Sequence, residues 1–102
     1  MPEQSLTAEV VRIRPKDAGS ERRALEIRDE MVKSYRDEWP GFVSCRLLRS
    51  EASGDWVDLW YWRSKGDAEE ALANTDRNPL FQEWTTLVEM IQFEWAEVVS
   101  DH

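Results

Sequence analysis

Residues 42–62 read FVSCRLLRSEASGDWVDLWYW. Phe42 to Ser50 and Asp55 to Trp62 are rich in the aromatic and branched residues that favour strands. Between them lies Glu51-Ala-Ser-Gly54, a short polar loop with the glycine a hairpin needs. The stretch therefore predicts a β-hairpin. Placing Ser50 opposite Asp55 fixes a register in which facing pairs share a side. One face then carries Val43, Cys45, Leu47, Arg49, Trp56, Asp58, Trp60 and Trp62. The other carries Phe42, Ser44, Arg46, Leu48, Val57, Leu59 and Tyr61. An antiparallel sheet with one wet face alternates apolar and polar residues. Here both faces are largely apolar.

Working outward, Ala8 to Arg14 predicts a first strand, β-branched at Val10, Val11 and Ile13 and ended by Pro15. Ser20 is the predicted N-cap of a helix, with Glu21 in its first turn. Ala24, Ile27, Met31, Tyr35 and Trp39 form the stripe of that helix, and Pro40-Gly41 stops it. Ser64 with Asp67 three residues later resembles a capping box and opens a short helix through Ala68, Ala71 and Leu72. Asn78-Pro79 opens another, with Leu80, Trp84, Leu87, Val88 and Ile91 as its buried stripe. A last strand is expected from about Gln92 to Val99. The order β-α-β-β-α-α-β predicts an α+β, ferredoxin-like domain with an antiparallel sheet. Residues 1–102 are read as one domain, with a core over about 8–99 and flexible ends.

The helices of this topology cover one sheet face. The other leaves several hundred Å² of apolar surface, near or above the roughly 300–600 Å² of the largest patch on a typical monomer. A second copy is the simplest cover, since most soluble oligomers are twofold homodimers. The expected dimer face is Phe42, Arg46, Leu48, Val57, Leu59 and Tyr61. The alternative is a last strand or tail curled over that face.

Composition narrows the partners. Asp and Glu number 21 against 13 Lys and Arg, a net charge of −8. Nucleic-acid binding needs basic patches, and anionic membranes repel such a surface, so neither partner is expected. No stretch approaches the roughly 20 apolar residues of a membrane span, and no signal peptide is evident. The single cysteine, Cys45, allows no intrachain disulfide, and a cytoplasmic protein is the default. There is no Gly-rich phosphate loop and no Cys/His cluster. The lone histidine, His102, rules out a Ser-His-Asp set, so neither metal nor cofactor is expected.

Asp58 is the candidate catalytic residue. An acid flanked on its strand face by Trp56 and Trp60 is partly desolvated, which raises its pKa toward the range of a general base. The alternative is a salt bridge to Arg46 or Arg49, or exposure at the sheet edge. Trp56, Trp60 and Trp62, with Tyr35 and Trp39 from the first helix, are candidate pocket walls or core. Cys45 reads as a buried small hydrophobe.

Pro40-Gly41-Phe42 opening a strand, a third strand ending in Trp62-Arg-Ser64, an acidic helix start and Asn78-Pro79-Leu-Phe81 together resemble the antibiotic biosynthesis monooxygenase superfamily. The resemblance runs from about Ala8 to Val99. It implies ferredoxin-like domains that pair into a dimeric α+β barrel. It also implies cofactor-free oxidation of phenol- or quinol-bearing aromatics, in which the deprotonated substrate itself passes an electron to oxygen. Polyketide-oxidising members carry an asparagine four residues before a strand-end tryptophan and a tyrosine six after it. Trp62 matches, with Asp58 at the asparagine position and Ala68 at the tyrosine position. Positions used by heme-degrading members fall near Ala71 and Thr85, so heme chemistry is not expected. The alternative to an enzyme is a non-catalytic dimer of the same fold that binds a small hydrophobic molecule or acts as an interaction module.

Overall fold

The computed structural model describes residues 5–102. In chain order they form β1 (Thr7–Pro15), α1 (Ala18–Glu38), β2 (Phe42–Arg49), β3 (Trp56–Trp62), α2 (Lys65–Ala73), a 3₁₀ turn (Thr75–Arg77), α3 (Pro79–Leu87) and β4 (Val88–Glu97). The strands make one antiparallel sheet in the order β2-β3-β1-β4. This is the ferredoxin-like α+β arrangement that the element order predicts.

Local chemistry explains most boundaries. Asp17, not Ser20, caps α1: its Oδ1 accepts the Ser20 backbone N–H at 2.7 Å. Ser20 lies inside the first turn, so the helix begins earlier than the sequence suggests. Ala24, Ile27, Met31 and Tyr35 are buried as its stripe. Ser64 caps α2 by accepting from Asp67 N at 3.1 Å, as the capping-box pattern predicts. Asn78 caps α3 twice over, accepting from Leu80 N and Phe81 N at 3.1 Å. Its amide also donates to Met31 O at 3.4 Å, which ties α3 to α1.

The end of α3 differs from the sequence reading. Val88 and Ile91 belong to β4, not to the helix, because Val88, Glu89 and Met90 pair with Pro15, Arg14 and Ile13 of β1. LVEMI fits either period, and pairing with a neighbouring strand decides between them.

The hairpin register is the expected one between Ser44 and Ser50, with Ser50 N donating to Asp55 O at 2.7 Å. It shifts at Val43, which bulges so that Phe42 faces Trp62. Phe42 is therefore moved off the expected dimer face. It is buried against Trp60 and Trp62, at ring separations of 5.9 and 5.8 Å. A second bulge, at Ile91, separates the pairs Arg12–Gln92 and Ile13–Met90. Bulges turn side chains across a sheet. Both sit on edge strands, and each adds a large apolar side chain, Phe42 or Met90, to the helix-covered side. Gly41 allows β2 to start close beneath α2, since a Cβ there would come 2.5 Å from Asp67 Cγ.

The core lies between that side of the sheet and the helices. Trp56 stacks on Trp84 at 6.0 Å, and Met31, Trp60 and Trp62 complete its centre. The opposite face presents Arg46, Leu48, Val57, Leu59 and Tyr61, with Val10 of β1. No helix covers it.

Asn78→Ala removes a double cap and the tie to Met31. The variant is expected to lose about 1–2 kcal/mol of stability, measured by urea denaturation. A change within a few tenths would mean that Asn78 does not anchor α3.

Candidate functional site

A cavity of about 340 Å³ opens between the sheet and the helices. That is the size range of small-ligand pockets. The walls are mostly aromatic and aliphatic: Trp60 and Trp62 from β3, Tyr35 from α1, Phe81 and Trp84 from α3, Phe93 from β4. Met90 also lines it and is 66% exposed. With exposed Leu72 and Thr85 it marks the mouth. Alternation along the central strands aims two carboxylates inward, Glu9 of β1 and Asp58 of β3.

Both acids are buried, Glu9 at 9% exposure and Asp58 at 4%. They meet that constraint differently. Asp58 takes a two-pronged bond from Arg28 of α1, with Nη2–Oδ1 at 2.7 Å and Nη1–Oδ2 at 3.1 Å. The Arg28 guanidinium lies 5.9 Å from the Trp60 ring centre and 5.2 Å from that of Trp84. Burial opposes its charge, and the bonds to Asp58 outweigh burial, so its pKa rises. Arg28 Nη2 also donates to Cys45 Sγ at 2.8 Å. Burial, then the charge of Asp58, pushes the Cys45 thiol well above its ordinary range. Cys45 is thus no thiolate nucleophile.

Glu9 is in no ion pair among the described residues. Burial first, and then the charge of Asp58, pushes its carboxyl up to about 7. The indole N–H of Trp62 pulls the other way, lying near enough to favour the charged form. That N–H is itself buried and has no partner within hydrogen-bond distance. Tyr35 packs edge-on to Trp60, Trp62 and Phe81 at 5.1, 6.3 and 6.0 Å. Burial and the nearby Glu9 raise its phenol above the ordinary range.

The sequence-predicted residues divide. Asp58, Trp60, Trp62 and Tyr35 meet in the cavity. Trp56 does not line it; it is core beneath Trp84. Trp39 does not either, because it ends α1 and borders a separate cleft with Glu38, Gly41, Asp67 and Glu70. The Asp58 salt bridge exists, but its partner is Arg28. Arg49 pairs with Glu21 at 2.5 Å, and Arg46 lies on the other face. Glu9 and Arg28 went unread. Alternation from Val11 and Ile13 places Glu9 on the core side, and Arg28 flanks the α1 stripe one position past Ile27. Among the described residues no three His, Cys, Asp or Glu side chains gather as metal ligands, and no helix is long and apolar enough to cross a membrane.

No family model and no curated protein matches the chain. Solved structures do. A variant of SnoaB, a cofactor-independent oxygenase from Streptomyces nogalater, superposes with a TM-score of 0.74 at 18% identity, covering 95% of this chain and 96% of that one. The ActVA-Orf6 monooxygenase of Streptomyces coelicolor, in complex with nanaomycin D, gives 0.71 at 16%, covering 97% and 92%. A dimeric ferredoxin-like protein from an uncultured marine organism gives 0.74 at 12%, covering 96% and 99%. The chain shares the fold of these proteins. Within that fold Trp62 stands at the end of β3 with Asp58 four residues before it. Ala68, where the resemblance places a tyrosine, is fully buried, and the cavity's tyrosine is Tyr35.

A carboxyl raised by burial destabilises the fold once it must ionise. Between its ordinary value and about 7 the unfolded chain has lost the Glu9 proton and the folded chain retains it. Stability from this group is therefore full below about pH 4.5 and falls as pH rises through 7. A rise of this size corresponds to about 3 kcal/mol. Glu9→Gln is expected to be more stable than the native chain at pH 8 by up to that amount. The difference should shrink toward pH 4, read from urea unfolding at both pH values. Parallel pH dependence in the two proteins would contradict the shift.

Proposed function

We propose that the protein is a cytoplasmic, cofactor-independent monooxygenase of a small aromatic metabolite bearing a phenol or quinol. The observation that carries this is the aromatic cavity with carboxylates on its wall, in a fold shared with SnoaB and ActVA-Orf6. Trp60, Trp62 and Tyr35 enclose the ring. One of the wall carboxylates, Asp58 or Glu9, accepts the phenol proton. The phenolate passes one electron to dioxygen, and the radical pair joins at a ring carbon. Loss of water then leaves a quinone, so one phenol and one dioxygen give one quinone and one water.

We further propose a homodimer joined through Arg46, Leu48, Val57, Leu59 and Tyr61. The support is an apolar sheet face without a covering helix and a dimeric neighbour of the same fold. No nucleic acid or membrane is among the proposed partners, given the net charge of −8. A second reading, a non-catalytic binder of small hydrophobic molecules, is favoured by the departures at Asp58 and Ala68.

Tryptophan fluorescence against naphthols, anthrols and quinols, followed by oxygen uptake, separates the two. Quenching with stoichiometric oxygen consumption is expected for the enzyme. Quenching without oxygen consumption selects the binder. For the dimer, sedimentation at micromolar concentration should give twice 12.0 kDa, and Leu48→Asp should shift the protein to the monomer. A native chain that sediments at 12.0 kDa alone would refute the dimer.

A further inference from the structure

Two groups in the cavity lack what their chemistry requires. The Trp62 indole N–H is a buried donor that makes no well-formed hydrogen bond, although Glu9 lies close by. Glu9 is a buried acid without a cation among the described residues. An unpaired buried donor is costly. Asp58 offers Trp62 no remedy, since its oxygens are engaged by Arg28. The two unsatisfied groups neighbour each other, and both belong to cavity-lining residues.

We propose that Glu9 and the Trp62 indole N–H form one hydroxyl-binding pair, which receives an aromatic hydroxyl and transfers its proton to Glu9. The assignment rests on the aromatic-ligand reading above and names the group that moves the proton. The ligand O–H donates to a Glu9 carboxylate oxygen, and the ligand oxygen accepts from Trp62 Nε1–H. On transfer the O–H bond breaks, a bond from the proton to the carboxylate forms, and the electron pair stays on the ligand oxygen. The Trp62 bond then holds the phenolate.

Charge explains why Glu9 suits this step better than Asp58. The titratable groups facing Glu9 are Asp58 and Tyr35 across the cavity, with Arg28 and Cys45 behind Asp58. The α2 and α3 residues on the wall carry no charge. Arg28 neutralises one carboxylate only. An ionised Glu9 thus leaves one uncompensated negative charge in the interior. Transfer keeps that charge at one but moves it from a compact carboxylate onto a delocalised ring, where burial costs less. A base at Asp58 would break the Arg28 pair and expose a buried cation instead. A carboxyl poised near neutral pH matches the requirement of a general base.

The test uses the full chain, with 1-naphthol and 1-methoxynaphthalene as probes. Without ligand, the Trp62 indole N–H resonance, assigned by its loss in Trp62→Phe, should titrate near neutral pH. Glu9→Gln should abolish that titration. With ligand, 1-naphthol should bind at least tenfold more tightly than its methyl ether. Bound naphthol should ionise at lower pH than free naphthol in the native chain but not in Glu9→Gln, read from its absorption spectrum. The pair is overturned by a Trp62 resonance indifferent to Glu9, by equal affinity for the two probes, or by unaltered naphthol ionisation in Glu9→Gln. Naphthol that ionises as expected without oxygen uptake sinks the oxygenase reading and leaves the pair standing. Oxygen uptake undiminished in Glu9→Gln sinks the pair and leaves the oxygenase standing.

Discussion

Arg28 of α1 grips Asp58 of β3, and the electrostatics of the whole interior follow from that bond. A buried carboxylate stripped of its partner is costly, and the pair is retained because both of its bonds are well made. The guanidinium lies between the rings of Trp60 and Trp84, so the same side chain links helix, strand and aromatic core. One cation, however, satisfies one acid. Glu9, on the neighbouring strand, faces the same space with no cation of its own among the described residues and with the charge of Asp58 beside it. The interior thus splits its two carboxylates into a fixed ion pair and a group whose proton is easily exchanged. Separation of paired acids by environment is how one site acquires distinct acid–base roles.

The shape of the cavity depends on the edges of the sheet rather than its middle. Regular alternation would turn Phe42 and Met90 away from the helices. The bulges at Val43 and Ile91 reverse both. Phe42 then backs Trp60 and Trp62 from β2, and Met90 stands beside Phe93 at the mouth from β4. The tryptophan wall is stiffened at one edge and the opening is framed by a flexible side chain at the other.

Legibility in the sequence followed the range of the forces involved. The hairpin, the register beside its turn and the caps at Ser64 and Asn78 are local, and residues 42–62, 64–67 and 78–79 carried them. The Val43 bulge was not legible because nothing in residues 42–62 marks where the register shifts. The helix-to-strand change at Val88 was hidden because only pairing with Pro15 selects the strand. Asp58 and Trp62 stood out as an acid and an indole on one strand face. Glu9 shared a face with Val11 and Ile13, so alternation did place it inside. What alternation lacks is how an acid is accommodated there: burial and Asp58 disfavour its charge, and the Trp62 indole N–H favours it. Arg28 borders the α1 stripe, where a long side chain can reach inward or outward, and only a buried acid decides which.

A core built for stability alone has no use for either unsatisfied group. Phenylalanine at position 62 would keep most of the packing and remove the stranded N–H. A glutamine at position 9 would remove the ionisation penalty. Buried unpaired polar groups are uncommon in native structures and call for an explanation. Here the two occur as neighbours, one without a well-formed hydrogen bond and the other with its carboxyl pushed up to about 7. A single hydroxyl is both the acceptor that Trp62 lacks and the donor that Glu9 can receive. The same molecule relieves both costs, so the interior is more complete with a ligand bound than without one.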